Sequence, residues 1–197
     1  SFHNSLGIIF GSNIGTTITA QLVLLDSSIL APILMILGLL LGVVSKKTKM
    51  VSKPIFHIGF LLLSLSLISS TIEPLKNSPL VMNMFSNLSN PIVAYIVSAL
   101  FTALIHSSSV TTGIIVILAQ NGLIPIEVAI PMVLGANVGT NVTALIAGIK
   151  LNLFAKRVAV ADFLFDAIGT LVFMFLIKPF SWSMQYLSSD PGVQTAL

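Results

Sequence analysis

Cysteine is absent from the 197 residues, which excludes disulfides and thiolate metal sites. Charge is scarce too. Asp, Glu, Lys and Arg make up 8% of the chain, where a soluble domain carries about 25%. Against that, 55% of the residues are hydrophobic and the mean hydropathy is +1.05. A chain so poor in charge reads as an integral membrane protein. Histidine occurs only at His3, His57 and His106, too scattered for a zinc site, and no nucleophile–base pair stands out. Neither an enzyme nor a resident cofactor is expected. A signal peptide is also missing: Ser1 is followed within a few positions by an apolar segment, with no n-region or cleavage site. Because no initiator methionine is present, the chain reads as a piece of something longer. The net charge of +3 does not imply nucleic acid, since the basic residues stand at the ends of apolar segments, where the positive-inside rule places them.

What is present is a series of apolar segments. Residues 6–25 form the first, about one bilayer long, interrupted by Gly11-Ser12-Asn13-Ile14-Gly15-Thr16-Thr17. Residues 29–45 form a second, which runs into Lys46, Lys47, Lys49 and Lys53, the densest basic cluster and a cytoplasmic loop by the positive-inside rule. A third covers 54–72, with Pro54 at its expected start. Residues 77–91, rich in Asn, Ser and Pro, read as an interfacial connection. Residues 92–105 and 110–120 are each too short to cross a core of about 30 Å. Joined by His106-Ser107-Ser108-Ser109, they read as a re-entrant helical hairpin over 91–121 with its tip near mid-membrane. The alternative is one continuous span over 99–120.

Charge favours the hairpin. With the lysine loop inside, residues 54–72 leave the cytoplasm and the hairpin enters and leaves on the outer side. Residues 126–149 then cross inward to Lys150, Lys156 and Arg157, a second basic cluster on the correct side. A helix over 157–178 crosses outward again.

The strongest signal is an internal repeat. The ten residues from Gly11 and the ten from Gly135 (Gly-Ala-Asn-Val-Gly-Thr-Asn-Val-Thr-Ala) agree at six positions, at an offset of 124 (135 − 11). Under the topology above the copies run antiparallel, so the predicted architecture is an all-α inverted-repeat transporter core with two broken transmembrane helices. Residues 1–27 end the first repeat, 28–90 hold two transmembrane helices and their loops, and 91–197 form the second repeat with a truncated tail. Helix breaks offer free N–H groups to an anion and carbonyls to a cation. Ser107, Ser108 and Ser109 suit a tetrahedral oxyanion, whereas Asn13, Thr16, Asn137, Thr140 and Asn141 suit either a small anion or sodium. The competing explanation is packing: Gly11-xxx-Gly15 and Gly135-xxx-Gly139 are also small-xxx-small motifs of membrane helices. Asp162 and Asp166 lie four apart on one face of the last span and read as interfacial or ion-paired groups near Lys156 and Arg157, with an ion-coupling role as the alternative.

The triple serine followed by Gly-Ala-Asn-Val-Gly-Thr, with Gly-Ser-Asn-Ile-Gly-Thr-Thr upstream, resembles the sodium-dependent phosphate cotransporters of the type II class and their bacterial relatives. The resemblance implies phosphate at Ser107, Ser108, Ser109, Asn13 and Asn137. It implies sodium, the coupling ion, at His106, Ser108, Thr16, Thr17, Thr140 and Asn141. It further implies a multi-pass protein of the plasma or inner membrane, with homo-oligomerisation left open, that takes up phosphate by alternating access. Another small anion, or a channel or scaffold, are the alternatives. Three departures stand out. His106 replaces the family's Gln, Asp162 and Asp166 replace the His and Asn of an Ala-His-x-x-Phe-Asn pattern, and no first Gln-Ser-Ser-Ser tip is present. The chain is therefore expected to be truncated at both ends.

Overall fold

A computed structural model describes residues 2–24, 27–44, 48–86, 90–149 and 152–196; Ser1, Lys46, Lys47 and Lys150 lie outside them. Every regular element among the described residues is helical: α1 (Phe2–Val23), α2 (Ser27–Val44), α3 (Lys49–Ile72), a 3₁₀ segment (Glu73–Asn77), α4 (Pro79–Ser86), α5 (Pro91–Ile105), α6 (Ser108–Gln120), α7 (Ile126–Gly148), α8 (Leu153–Leu187) and α9 (Pro191–Ala196). Of these, α3 with its 3₁₀ extension, α7 and α8 are long and apolar enough to cross a bilayer. The remaining faces of α2, α5 and α8 expose residues such as Val43, Leu104 and Phe175, as helices do when their surroundings are lipid.

α7 is the centre of the packing. Ile115, Leu118, Val128 and Met132 join α6 to α7 around Ala94 of α5, while Ile126 and Ile130 meet Ile177, Phe173 and Phe180 of α8. A second cluster ties Ala20 of α1 and Leu65 of α3 to Val116 and Ile117 of α6 and Ala196 of α9. The α5–α7 contact is close because it is made on small residues: Ser98 donates to the Met132 carbonyl at 2.6 Å, and Gly135 and Gly139 lie against the Tyr95 and Ala99 carbonyls. The α2–α3 pair repeats this device, with Gly38 against the Phe56 backbone and Ser52 donating to the Gly38 carbonyl at 2.8 Å.

The two helix breaks are not found. α1 runs unbroken through Gly11 to Thr17 and α7 through Gly135 to Asn141. Glycine costs a helix only about 1 kcal/mol, and the threonines expected as ion ligands donate to carbonyls of their own helix. Thr16 donates to the Asn13 carbonyl at 2.8 Å, Thr17 to Ile14 at 2.6 Å and Thr140 to Ala136 at 3.1 Å. For the second copy, packing against α5 is what the glycines do. Those of the first copy face open space, where an added Cβ meets nothing within 4 Å.

Other boundaries shift as well. α3 starts at Lys49, so Pro54 sits inside it, and the 77–91 connection contains α4. α8 is 35 residues long instead of covering 157–178: Asn152 caps it, accepting from the Ala155 N–H at 3.0 Å, and it continues through Pro179. The short helices around the triple serine do form, at 15 and 13 residues, or about 22 and 20 Å by helical rise, each short of a crossing.

Candidate functional site

The turn between α5 and α6 sets the site. His106 ends α5 in the left-handed conformation at φ 61°, ψ 27°, and its N–H donates to the Thr102 carbonyl at 2.7 Å. Ser107 then starts α6 as its N-cap, accepting from Val110 N–H at 3.4 Å. Across the turn, Thr102, fully buried, donates to Thr111 at 2.9 Å and holds the two helices in register. The consequence is that Ser108 and Ser109 occupy the first turn of α6, where N–H groups without helical partners and the positive dipole end favour an anion.

Two cavities meet there. One, of about 340 Å³, is lined by Ser108, Ser109 and Thr112 of α6, Thr16 and Thr17 of α1, Asn137 of α7, Gln194 and Thr195 of α9, and an apolar wall that includes Phe173 and Phe180. Among the described residues no carboxylate lines it. The other, of about 260 Å³, is lined by Asn13 and Thr16, Ser108, Asn137, Thr140 and Asn141, and by Asp162 and Asp166 of α8. Thr16, Ser108 and Asn137 belong to both.

Asp166 links the two motif copies. Its Oδ1 accepts from Asn13 Nδ2 at 3.2 Å and its Oδ2 from Asn141 Nδ2 at 2.8 Å, so one carboxylate on α8 holds α1 and α7. Phe10 and Phe165, with ring centroids 4.7 Å apart, add an apolar contact beside this clamp. Matched residues of the repeat, Asn13 with Asn137 and Thr16 with Thr140, line the same cavity.

Of the residues picked from the sequence, Ser108, Ser109, Asn13, Asn137, Thr16, Thr17, Thr140 and Asn141 all line one cavity or both. His106 and Ser107 line neither. His106 is exposed at the turn, and Ser107 is occupied as a cap. Thr17, chosen for sodium, lies on the carboxylate-free side. Thr112, Gln194 and Thr195 were missed: nothing in their spacing marks them, and only the fold carries the tail back to the serines. Asp162 and Asp166 were noticed for charge within an apolar span, the one signal available for them, and neither is paired with Lys or Arg among the described residues. Gly135 and Gly139, which open the second motif, serve the α5–α7 contact and not the cavities.

The family of Na+/Pi-cotransporters matches residues 1–70 and 61–187. Among individual relatives, a Salmonella typhimurium protein named provisionally for inorganic phosphate export, YjbB, is 29% identical over 93% of this chain. An uncharacterized Bacillus subtilis protein, YqeW, is 27% identical over all of it. The chain spans 34% and 64% of those two proteins. Sodium-dependent phosphate transport protein 2A of Rattus norvegicus is 38% identical over 49% of the chain, which spans 16% of that protein. No solved structure matches. With paired Gly-x-Asn-x-Gly-Thr motifs facing one site and the family match running along nearly the whole length, this membrane protein belongs to the Na+/Pi-cotransporter family.

Proposed function

We propose that the chain forms part of the core of a sodium-coupled transporter of inorganic phosphate, acting by alternating access as a multi-pass protein of the cell membrane. One observation carries the reading: a cavity at the start of α6 with no carboxylate among its described lining residues adjoins a carboxylate-bearing one, and the two share Thr16, Ser108 and Asn137. An anion is repelled by carboxylates and attracted by the α6 N-terminus, so phosphate belongs against Ser108, Ser109 and Asn137. Sodium, a hard cation, belongs among the oxygens of Thr16, Thr140 and Asn141. Adjacent sites of opposite charge give coupling directly, since each ion lowers the cost of desolvating the other.

The hairpin α5–α6 is proposed as re-entrant, with its tip within the membrane, because neither helix alone spans the hydrocarbon core. The motif copies on α1 and α7 are proposed as the halves of an inverted repeat. Their helices stay continuous, so side chains and the α6 terminus supply the ligands. Uptake is the direction proposed under an inward sodium gradient; export is the second reading, favoured by the name of the Salmonella typhimurium relative.

The test is radiolabelled phosphate flux in proteoliposomes, with sodium inside, outside or absent, using the protein as its gene encodes it. Flux that follows the sodium gradient supports the proposal and reveals direction. Phosphate flux indifferent to sodium removes the coupling, and no phosphate flux in any arrangement removes the substrate.

A further inference from the structure

The 260 Å³ cavity is polarised in a way that the assignment of sodium to threonines and asparagines leaves unexplained. Several of its hydrogen-bond donors are consumed within its own walls. Asn13 and Asn141 give their Nδ2 groups to Asp166, and the Thr16 and Thr140 hydroxyls give their protons to carbonyls of their own helices. What remains is the oxygen lone pairs of those four side chains and of the two carboxylates, beside the Asn137 amide and the Ser12 and Ser108 hydroxyls, which can turn an oxygen toward a cation. With two carboxylates in it, such a lining favours a cation over an anion.

Two unsatisfied groups point the same way. Asp162 Oδ1 is buried and has no hydrogen-bond partner among the described residues. The Ser108 hydroxyl, in a residue only 8% exposed, lines the same cavity and forms no hydrogen bond among the described residues. Among the described residues no lysine or arginine is paired with either aspartate, and the two amides on Asp166 bring hydrogen bonds without charge. From the start of α8 at Leu153, Asp162 and Asp166 lie about 13 and 20 Å along the helix, well inside a hydrocarbon core of about 30 Å if that end is at the interface. Two uncompensated carboxylates at that depth, four residues apart on one face, repel each other and are costly to desolvate unless a positive charge accompanies them.

The geometry points to an alkali-cation site, for sodium, held between Asp162 and Asp166 and completed by the side-chain oxygens of Asn13, Asn141 and Ser108. The carboxylates hold the ion, and the hydroxyls and amides complete its shell. This deepens the transport reading, on which it rests for the choice of sodium, and replaces a neutral sodium site with an anionic one. It also gives Ser108 a defined position: its oxygen can face the cation while its proton faces the neighbouring anion cavity. Because Asp166 clamps Asn13 to Asn141, an ion drawn to it acts on both motif helices at once.

The experiment is equilibrium binding of ²²Na⁺ to the purified full-length protein without phosphate, at constant ionic strength held with choline. Asp162→Asn and Asp166→Asn preserve side-chain volume and should each weaken binding at least tenfold. Ser183→Ala, on a part of α8 that lines neither cavity, should leave it within about twofold. Should Asp166→Asn fail to fold for want of its clamp, Asp162→Asn reads the same site, since its free oxygen bonds to no described residue. Wild-type binding retained by both Asn variants, or no ²²Na⁺ binding by the wild-type protein, overturns the inference. Since phosphate is absent, a failure of phosphate transport would leave the sodium result standing. Sodium-driven phosphate flux that persists in both Asn variants would in turn overturn the aspartate site alone.

Discussion

Replacing Gly135 or Gly139 with alanine tests the packing of the molecule at its tightest point. A Cβ built on Gly139 overlaps the Ala99 carbonyl oxygen and stands 2.8 Å from Thr102 Cβ; on Gly135 it overlaps the Tyr95 carbonyl oxygen and lies 3.2 Å from the Ala99 nitrogen. Most of these neighbours are backbone, which cannot rotate away. Relief therefore requires α5 and α7 to separate, loosening the 2.6 Å Ser98–Met132 bond and the Thr102–Thr111 bond that fixes the α5–α6 turn. Overpacking of this kind costs about 1–3 kcal/mol, offset in part by the gain of about 1 kcal/mol in helix propensity when alanine replaces glycine. Gly11→Ala and Gly15→Ala receive the same gain without the clash, since nothing lies within 4 Å of either new Cβ. Apparent melting temperatures of the detergent-purified protein should fall for the 135 and 139 variants, by about 2–4 °C per kcal/mol for a chain of this size, and hold or rise for the 11 and 15 variants. The reasoning is refuted if all four behave alike, or if the first-copy variants are the damaging ones.

Four further outcomes follow from the same geometry. Ser108→Ala removes the hydroxyl shared by both cavities and should abolish phosphate flux at unchanged expression and melting temperature, whereas Ser107→Ala should chiefly cost about 1 kcal/mol of helix capping, read as a lower melting temperature. His106→Val places a β-branched residue at φ 61° and should destabilise by about 1–2 kcal/mol, while His106→Gly should be tolerated and keep ²²Na⁺ binding, because His106 lines neither cavity. Loss of sodium binding in His106→Gly would return that residue to the site. Asn152→Ala should cost α8 about 1 kcal/mol through loss of the bond to Ala155 N–H, measured by thermal melting. Cysteines placed at Lys47 and Lys150 should label together from the cytoplasmic side in intact cells, and labelling from opposite sides would rule out the re-entrant hairpin.

The sequence by itself determined the solvent, the helices and the region of the site. Scarcity of charge dictates a membrane, apolar run length dictates which helices can cross it, and 92–105 and 110–120 are legible as two short helices because a polar cluster divides them. The sequence repeat likewise exposed Asn13 and Asn137, Thr16 and Thr140, which do line one cavity. Tertiary structure alone decided what the glycines do. Local sequence cannot distinguish an unwound glycine from one pressed against another helix, and at Gly135 and Gly139 the approach of α5 made the difference. It also decided the chemistry of Asp162 and Asp166: their spacing put them on one face of α8, but only the packing of α1, α6 and α7 around that face surrounds them with spent donors and open lone pairs. Charge in an apolar helix is a sequence fact, whereas the hydrogen bonds that meet it come from residues 25 to 153 positions away, which the chain order does not reveal.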